Sequence, residues 1–220
     1  EDAMTLTWML AAVTHGWAPD SILDAYHAER NDAGEKVSRA AKSMAENQHG
    51  VAQNMEWRGK TELPGEEGAA ARKYLRNSLL DADSKQFNAE GLNFGIQYDK
   101  SPIIVYDDGI APEFDVSEYT PSTVPGCRTP YFVFAETGVP LMDALGKGYT
   151  LLVSEDGVDV SGLVDAASAC GMPFQVIDIA HEPKAQRVYD HKLVLVRPDD
   201  RVAWRSNTAP SDPAAVIDKV

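Results

Sequence analysis

The sequence predicts an α/β protein in which helices come first and a compact mixed α/β region comes last. Apolar residues recur at helical spacing over residues 2–47 and 68–83. A proline-bearing stretch, with Pro112, Pro121, Pro125 and Pro130, follows. Beyond it, short apolar runs alternate with helical patterns and end in a hairpin, "KLVLVRPDDRVAWRS". The order β-α-β, hairpin, helix predicts an α/β sandwich of thioredoxin type.

Residues 2–14 read as the first helix, with Asp2 near its start and Gly16 after its end. Met4, Trp8, Ala11 and Ala12 fall on one face, and Leu6, Leu10, Val13 and Trp17 occupy much of another. A helix apolar on so many sides is expected to be enclosed by protein. Asp20 is the expected N-cap of a second helix, which begins with Ile22, Leu23 and Tyr26 and runs, weakened at Gly34, to about Asn47. Residues 49–68 are polar, with Pro64 and several glycines, and are expected to form an irregular connection. Ala70, Tyr74, Leu75, Leu79 and Leu80 then predict a helix over 68–83.

Alternation at Phe94, Ile96 and Tyr98, followed by Ile103–Val105, predicts a strand pair. The boundaries that follow are 1–90 helical, 91–124 strand pair and proline-rich linker, and 125–220 the α/β domain. Within that domain "YFVFA", "YTLLVS" and "FQVIDI" are expected strands. "PLMDALG" and "VSGLVDAASACG" are expected helices, the second capped by Ser161 and stopped by Gly171, and "PAAVIDKV" closes the chain as a helix.

The composition excludes several partners. With 34 acidic against 20 basic residues the net charge is −14, so a nucleic-acid backbone or an anionic membrane would be repelled. No apolar run approaches the ~20 residues of a membrane span. The first residues show neither the basic region nor the small-residue cleavage site of a signal peptide. Cys127 and Cys170 form no Cys-x-x-Cys, and two unpaired thiols fit a reducing cytoplasm.

No metal-ligand spacing occurs among the five histidines, and no P-loop, Gly-x-Ser-x-Gly or dinucleotide Gly-x-Gly-x-x-Gly is present. "GKGYT" puts its glycines before a strand, the wrong order for a phosphate cradle. His181 in "AHEP" reads as a solvated loop histidine, and Cys127 as a buried thiol despite Arg128 beside it. "YHAER" places Tyr26, Glu29 and Arg30 at i, i+3 and i+4. Arg30 there either reaches a buried carboxylate or makes an ordinary surface ion pair. Arg128, held between Gly126 and Pro130, reads as a structural arginine tying the linker to a domain face. Local chemistry alone thus identifies no catalytic residue and no metal site.

Two stretches resemble the class A flavoprotein aromatic monooxygenases, the group of phenol, resorcinol and hydroxyphenylpropionate hydroxylases. Asp2, Ala3, Leu6, Trp8, Leu10 and Ala11 match the end of that family's flavin-contacting loop and the helix after it. Ile22, Leu23, Tyr26, Glu29 and Arg30 match its Leu-Leu-x-x-Tyr-x-x-Glu-Arg segment. "PGCRTP", "LMDALGKGYTLL" and "LVLVRPDDRVAW" are similar to its thioredoxin-like third domain. Thr5 stands where Asn is usual, Met9 where Lys is usual, and "NDAG" replaces the usual Arg-Pro after Glu-Arg.

The resemblance implies that the chain is the C-terminal part of a longer enzyme, its flavin fingerprints and substrate-covering sheet preceding Glu1. It implies FAD as cofactor, NADPH or NADH as reductant, dioxygen, and a small phenolic substrate. It places the backbone of Asp2, at the helix N-terminus, near the flavin. The third domain would serve packing, without redox chemistry, and allows a homodimer. The competing expectation is a self-standing interaction module with no cofactor, which an unrelated upstream reading frame would favour.

Overall fold

The computed structural model describes residues 1–53, 57 and 59–220. Among the described residues, seven α-helices and four strands run in the order α1 (Asp2–His15), α2 (Ile22–Gln53), α3 (Gly65–Phe87), α4 (Glu90–Phe94), α5 (Leu141–Ala144), β1 (Tyr149–Val153), α6 (Ser161–Cys170), β2 (Phe174–Asp178), β3 (Leu193–Val196), β4 (Val202–Ser206) and α7 (Pro213–Lys219), with a 3-10 turn at Ala185–Arg187 between β2 and β3. No described helix is long and apolar enough to cross a membrane.

The chain forms two compact units. The first comprises Glu1–Ala33, Ile96–Glu113 and Thr120–Val220. At its centre is a four-stranded sheet of order β2-β1-β3-β4. β1 pairs parallel with β2 and antiparallel with β3, and β3 pairs antiparallel with β4. Side chains alternate across β1 and β3, so each sheet face carries its own apolar cluster. One gathers Leu151, Leu193 and Leu195 with Trp8, Met9 and Ala12 of α1, Leu163 of α6 and Ile217 of α7. The other gathers Leu152, Val194 and Val196 under Phe132, Leu141 and Tyr189.

α1 ends as the sequence predicts. Gly16 takes a left-handed φ of 78°, and its N–H and that of Trp17 return to Val13 and Ala12 carbonyls. Within this chain its burial is confined to one stripe. Thr5, Trp8, Met9 and Ala12 form the buried stripe, whereas Met4 and Leu10 remain 38% and 45% exposed. A single sheet face covers only one side of a helix.

Two strand expectations fail. Phe94 ends α4, residues 96–98 and 104–105 join no ladder, and Ile103 lies in a turn. Tyr98 N–H bonds only to Gly126 and Val105 N–H only to Ala203, and Pro102 between them offers no donor. The Tyr106 hydroxyl closes the intervening loop instead, donating to the Tyr98 carbonyl at 2.6 Å. "YFVFA" is likewise no strand. Val133 makes one isolated bridge to Pro140, and the segment buries Phe132 against one face of the sheet.

The second unit comprises Gly34–Gly95 and Phe114–Tyr119. α2 continues to Gln53, past the expected end near Asn47, and Gly34 does not interrupt it. The expected irregular stretch 49–68 is thereby shortened, and positions 54–56 and 58 lie outside the described residues. Buried apolar side chains described in this unit are small: Ala40, Ala71 and Ala82. Tyr74, Leu79, Leu80 and Phe87 are exposed.

Local caps follow the sequence in part. Asp212 accepts from Ala215 N–H and Pro213 opens α7. Ser161 is not the cap of α6: it is the first helical residue, and its own N–H bonds to Asp159 Oδ1.

Candidate functional site

The hairpin turn between β3 and β4, Arg197-Pro198-Asp199-Asp200-Arg201, directs charge inward. Asp200 adopts a φ of 64°, a left-handed conformation that a short polar side chain tolerates better than most. Arg197 N–H bonds to the Arg201 carbonyl and Asp200 N–H to that of Arg197, closing the turn. Arg197, Asp199 and Arg201 are consequently buried at 1%, 3% and 2% exposure.

Burial of ions is tolerable only with full pairing. Arg197 achieves this with a bidentate pair to Glu29, at 2.6 and 2.9 Å, and a second fork to Asp199 at 2.9 and 2.6 Å. Thr5 of α1 donates to Asp199 at 3.1 Å, and Ser101 donates to Glu29. The Arg197 guanidinium also lies over the Trp8 ring, 5.1 Å from its centroid. Burial alone would raise the Asp199 carboxyl, but the Arg197 guanidinium holds it below its ordinary range. Burial disfavours the Arg197 cation too, yet Asp199 and Glu29 keep it firmly protonated.

Around this centre lies a second ring of pairs. Arg201 Nη2 donates to both carboxylate oxygens of Glu1 at 3.0 Å, and Nη1 to the Ile96 carbonyl. Arg30 donates to Asp2 at 2.6 Å, to the Tyr98 hydroxyl at 2.8 Å and to Glu1 at 3.2 Å. Arg128 bonds to Asp200 at 3.0 Å and Glu1 at 3.4 Å. The first turn of α1, the start of α2, the linker and the hairpin turn are thus joined by charge.

The residues singled out in the sequence separate clearly. Glu29 and Arg30 enter the network, and Arg128 ties the linker down as expected. The Asp2 carboxylate is committed to Arg30. His181 pairs with Asp156 on the exposed surface, away from any cluster. Cys127 is buried and its thiol is pushed up by that burial, while Cys170 is exposed and donates to the Ala167 carbonyl. Among the described residues no group of three His, Cys, Asp or Glu side chains could hold a metal ion.

Sequence reasoning missed Arg197, Asp199 and Arg201. Their signal was present. Residues 197 and 201 face each other across a tight hairpin turn, so their side chains share a side. On α2, Glu29 falls in the buried stripe of Ile22, Ala25 and Ala33, and a carboxylate in a core stripe demands a buried cation.

α1 itself presents amides at its first turn. Its first helical bond runs from Thr5 N–H to the Glu1 carbonyl, 2.9 Å, so the amides of Asp2, Ala3 and Met4 precede the ladder. Among the described residues no side chain caps them. Beside this turn an open groove of about 500 Å³, lined by Ala3, Met4, Thr7 and Pro198 among others, runs along α1.

Fold and geometry agree with known proteins. Residues 122–219 match the family described as aromatic-ring hydroxylase, C-terminal, and residues 1–41 match the FAD binding domain family. The 2,4-dichlorophenol 6-monooxygenase of Cupriavidus pinatubonensis is 30% identical over 97% of this chain and 40% of its own length. The dialkyldecalin synthase of Streptomyces rugosporus is 43% identical over 96% of this chain and 34% of its own. Among solved structures, the rebeccamycin biosynthetic enzyme RebC with reduced flavin superposes with a TM-score of 0.84 at 26% identity, over all of this chain and 40% of that one. The chain thus carries the C-terminal domain of the aromatic-ring hydroxylase family and, ahead of it, a segment of the FAD binding domain family. It spans only about a third to two fifths of the length of these relatives.

Proposed function

We propose that this chain supplies the end of the FAD-binding domain and the packing domain of a monooxygenase that hydroxylates a phenolic ring, using NADPH or NADH and dioxygen. The observation that carries the reading is the pair of family matches in chain order, 1–41 and 122–219, with residues 1–33 of the first sharing a compact unit with the whole of the second. FAD, when bound, supplies the redox chemistry; the protein's part is binding, orientation and exclusion of water. The residues present fit such a cofactor. The amides of Asp2, Ala3 and Met4 and the positive end of the α1 dipole favour negative charge on a neighbouring ring. Asp2 contributes its backbone, since its carboxylate is taken by Arg30.

The last ninety-odd residues, in this reading, are a thioredoxin-like domain used for packing. The sheet order β2-β1-β3-β4 with β3 antiparallel to its neighbours supports it. The thiols have no redox role, because Cys127 is buried and Cys170 stands apart from it in sequence. A homodimer and a cytoplasmic setting complete the proposal.

The test uses the full-length enzyme, loaded with FAD and given a panel of substituted phenols. Reductant oxidation coupled to incorporation of one labelled oxygen atom is the expected result, with the faster nicotinamide identifying the reductant. The isolated 220-residue chain should retain no yellow chromophore after purification. A full-length enzyme that binds FAD but consumes no reductant with any phenol would contradict the hydroxylase reading. The 43% identity to a dialkyldecalin synthase favours a second reading, in which the FAD scaffold serves a synthase of that kind. Product formation without oxygen incorporation would decide for it.

A further inference from the structure

Arg197 and Arg201 leave the same turn but serve different ends. Arg197 is consumed by Glu29 and Asp199 in the interior. Arg201 reaches the first turn of α1, gripping both oxygens of Glu1 while its guanidinium stacks 4.3 Å from the Tyr98 ring centroid. Its side chain is 2% exposed and that of Glu1 is 23% exposed, so a fixed cation holds a carboxylate at the edge of solvent.

Arg30 and Arg128 converge on the same carboxylate from α2 and from the linker. Arg30 also takes Asp2, and Arg128 also takes Asp200. Three guanidiniums therefore face the carboxylates of Glu1, Asp2 and Asp200, and the group is close to neutral as a whole.

The first turn of a helix is a part prone to fray. Here its first two side chains are held by charge-assisted bonds to three separate segments. That arrangement restrains the turn in position, not only in helicity. It also fixes the charge beside amides that are themselves partly positive.

We infer that Arg201, supported by Arg30 and Arg128, is a positioning group: through Glu1 it fixes the place and the electrostatic environment of the α1 first turn, and thereby tunes the flavin. The second clause rests on the reading that this turn faces FAD. The link gives the hairpin of the packing domain a part in the chemistry without any contact to substrate. Because the group is balanced, removing either sign unbalances it. Loss of the Glu1 charge leaves the arginines in excess, which favours the electron-rich reduced flavin. Loss of the Arg201 charge does the reverse.

The test compares Glu1→Gln, Arg201→Met and Arg201→Lys. In the FAD-loaded full-length enzyme, the midpoint potential should move to more positive values in Glu1→Gln and to more negative values in Arg201→Met. Arg201→Lys, which restores the charge, should return it toward wild type. A purely structural contribution does not predict opposite signs or rescue by lysine. In the 220-residue chain, amide exchange at Leu6–Met9 should quicken about tenfold in Glu1→Gln and Arg201→Met, while β1 and β3 stay protected.

Should Arg201→Met not fold, Glu1→Gln carries both measurements, because it alters the solvent-edge partner only. Potentials that stay put, or move together, would overturn the proposal even if exchange quickens. Unchanged exchange would overturn it as well. A wild-type enzyme that takes up no FAD would refute the flavin reading of the turn, and the exchange result would then decide the clamp on its own.

Discussion

The two compact units solve the burial problem in opposite ways. The first closes a four-stranded sheet between apolar clusters and then admits ions, sealing Arg197, Glu29 and Asp199 against one another. The second buries alanines and leaves Leu79, Leu80 and Phe87 in solvent, with Phe87 79% exposed. Apolar area removed from water is the main favourable term in folding. Held to that measure, the first unit has stability to spend on specificity, whereas the second has little of its own. Single substitutions should therefore matter very unequally in the two.

Arg197→Met should have the largest effect. It strands two buried carboxylates, and breaking a buried ion pair from one side costs about 3–5 kcal/mol. Urea denaturation followed by tryptophan fluorescence measures it. Replacing Arg197, Glu29 and Asp199 together by Met, Leu and Leu should recover most of that loss, because no charge is then left unpaired. If the triple replacement were no better than the single one, the cost would lie in packing, not in charge.

How much of this was legible in the sequence follows from the range of the interactions. α1, α6, α7 and the β3–β4 hairpin could be read because caps, periodicity and turn residues are local. The segment 131–135 misled because aromatic alternation describes a half-buried surface, and Phe132 satisfies that by packing against one face of the sheet without joining it. The pieces 96–98 and 103–105 misled for a related reason: their partners, Gly126 and Ala203, are chosen by tertiary packing. The charge network was hidden by distance along the chain. Glu29 and Arg197 are 168 residues apart, so the buried stripe of α2 says that Glu29 needs a cation without saying which one. The flavin reading came from resemblance, since no residue of the chain carries the chemistry by itself.

Acid should act on the first unit through Asp199. Its folded pKa is depressed below the ordinary 3.8 by Arg197, so the stability it contributes is complete above that value and is lost as pH falls through the folded pKa. Asp107 and Asp190, both lowered despite partial burial by bonds from Arg205 and Thr123 respectively, act in the same direction, more weakly because solvent reaches them. Asp200 opposes them, its carboxyl being raised by burial. Asp199→Asn should flatten the acid limb of a stability–pH curve measured below about pH 4. An unaltered limb would place the acid sensitivity elsewhere.

Thiol accessibility offers a smaller contrast within the first unit. A disulfide reagent should titrate one thiol per native chain, Cys170, and two after unfolding, because Cys127 is buried with its thiol pushed up. Two rapid equivalents in the native chain would contradict the packing of the linker. Smallest of all, Leu80→Ser should change stability by no more than about 0.5 kcal/mol, as befits an exposed position. A loss beyond about 1 kcal/mol in the same denaturation assay would reveal burial in solution that the chain alone does not show.

Limited proteolysis of the 220-residue chain with a broad-specificity protease, read by intact-mass spectrometry, tests the central contrast most directly. Cleavage should fall within residues 34–95. The segment 1–33 should then remain bound to 96–220 through a native gel filtration run, because α1 and the first turns of α2 share a core and an ion network with the sheet. Loss of residues 1–33 from an intact sheet, or cleavage in α1 as early as in α3, would contradict the account.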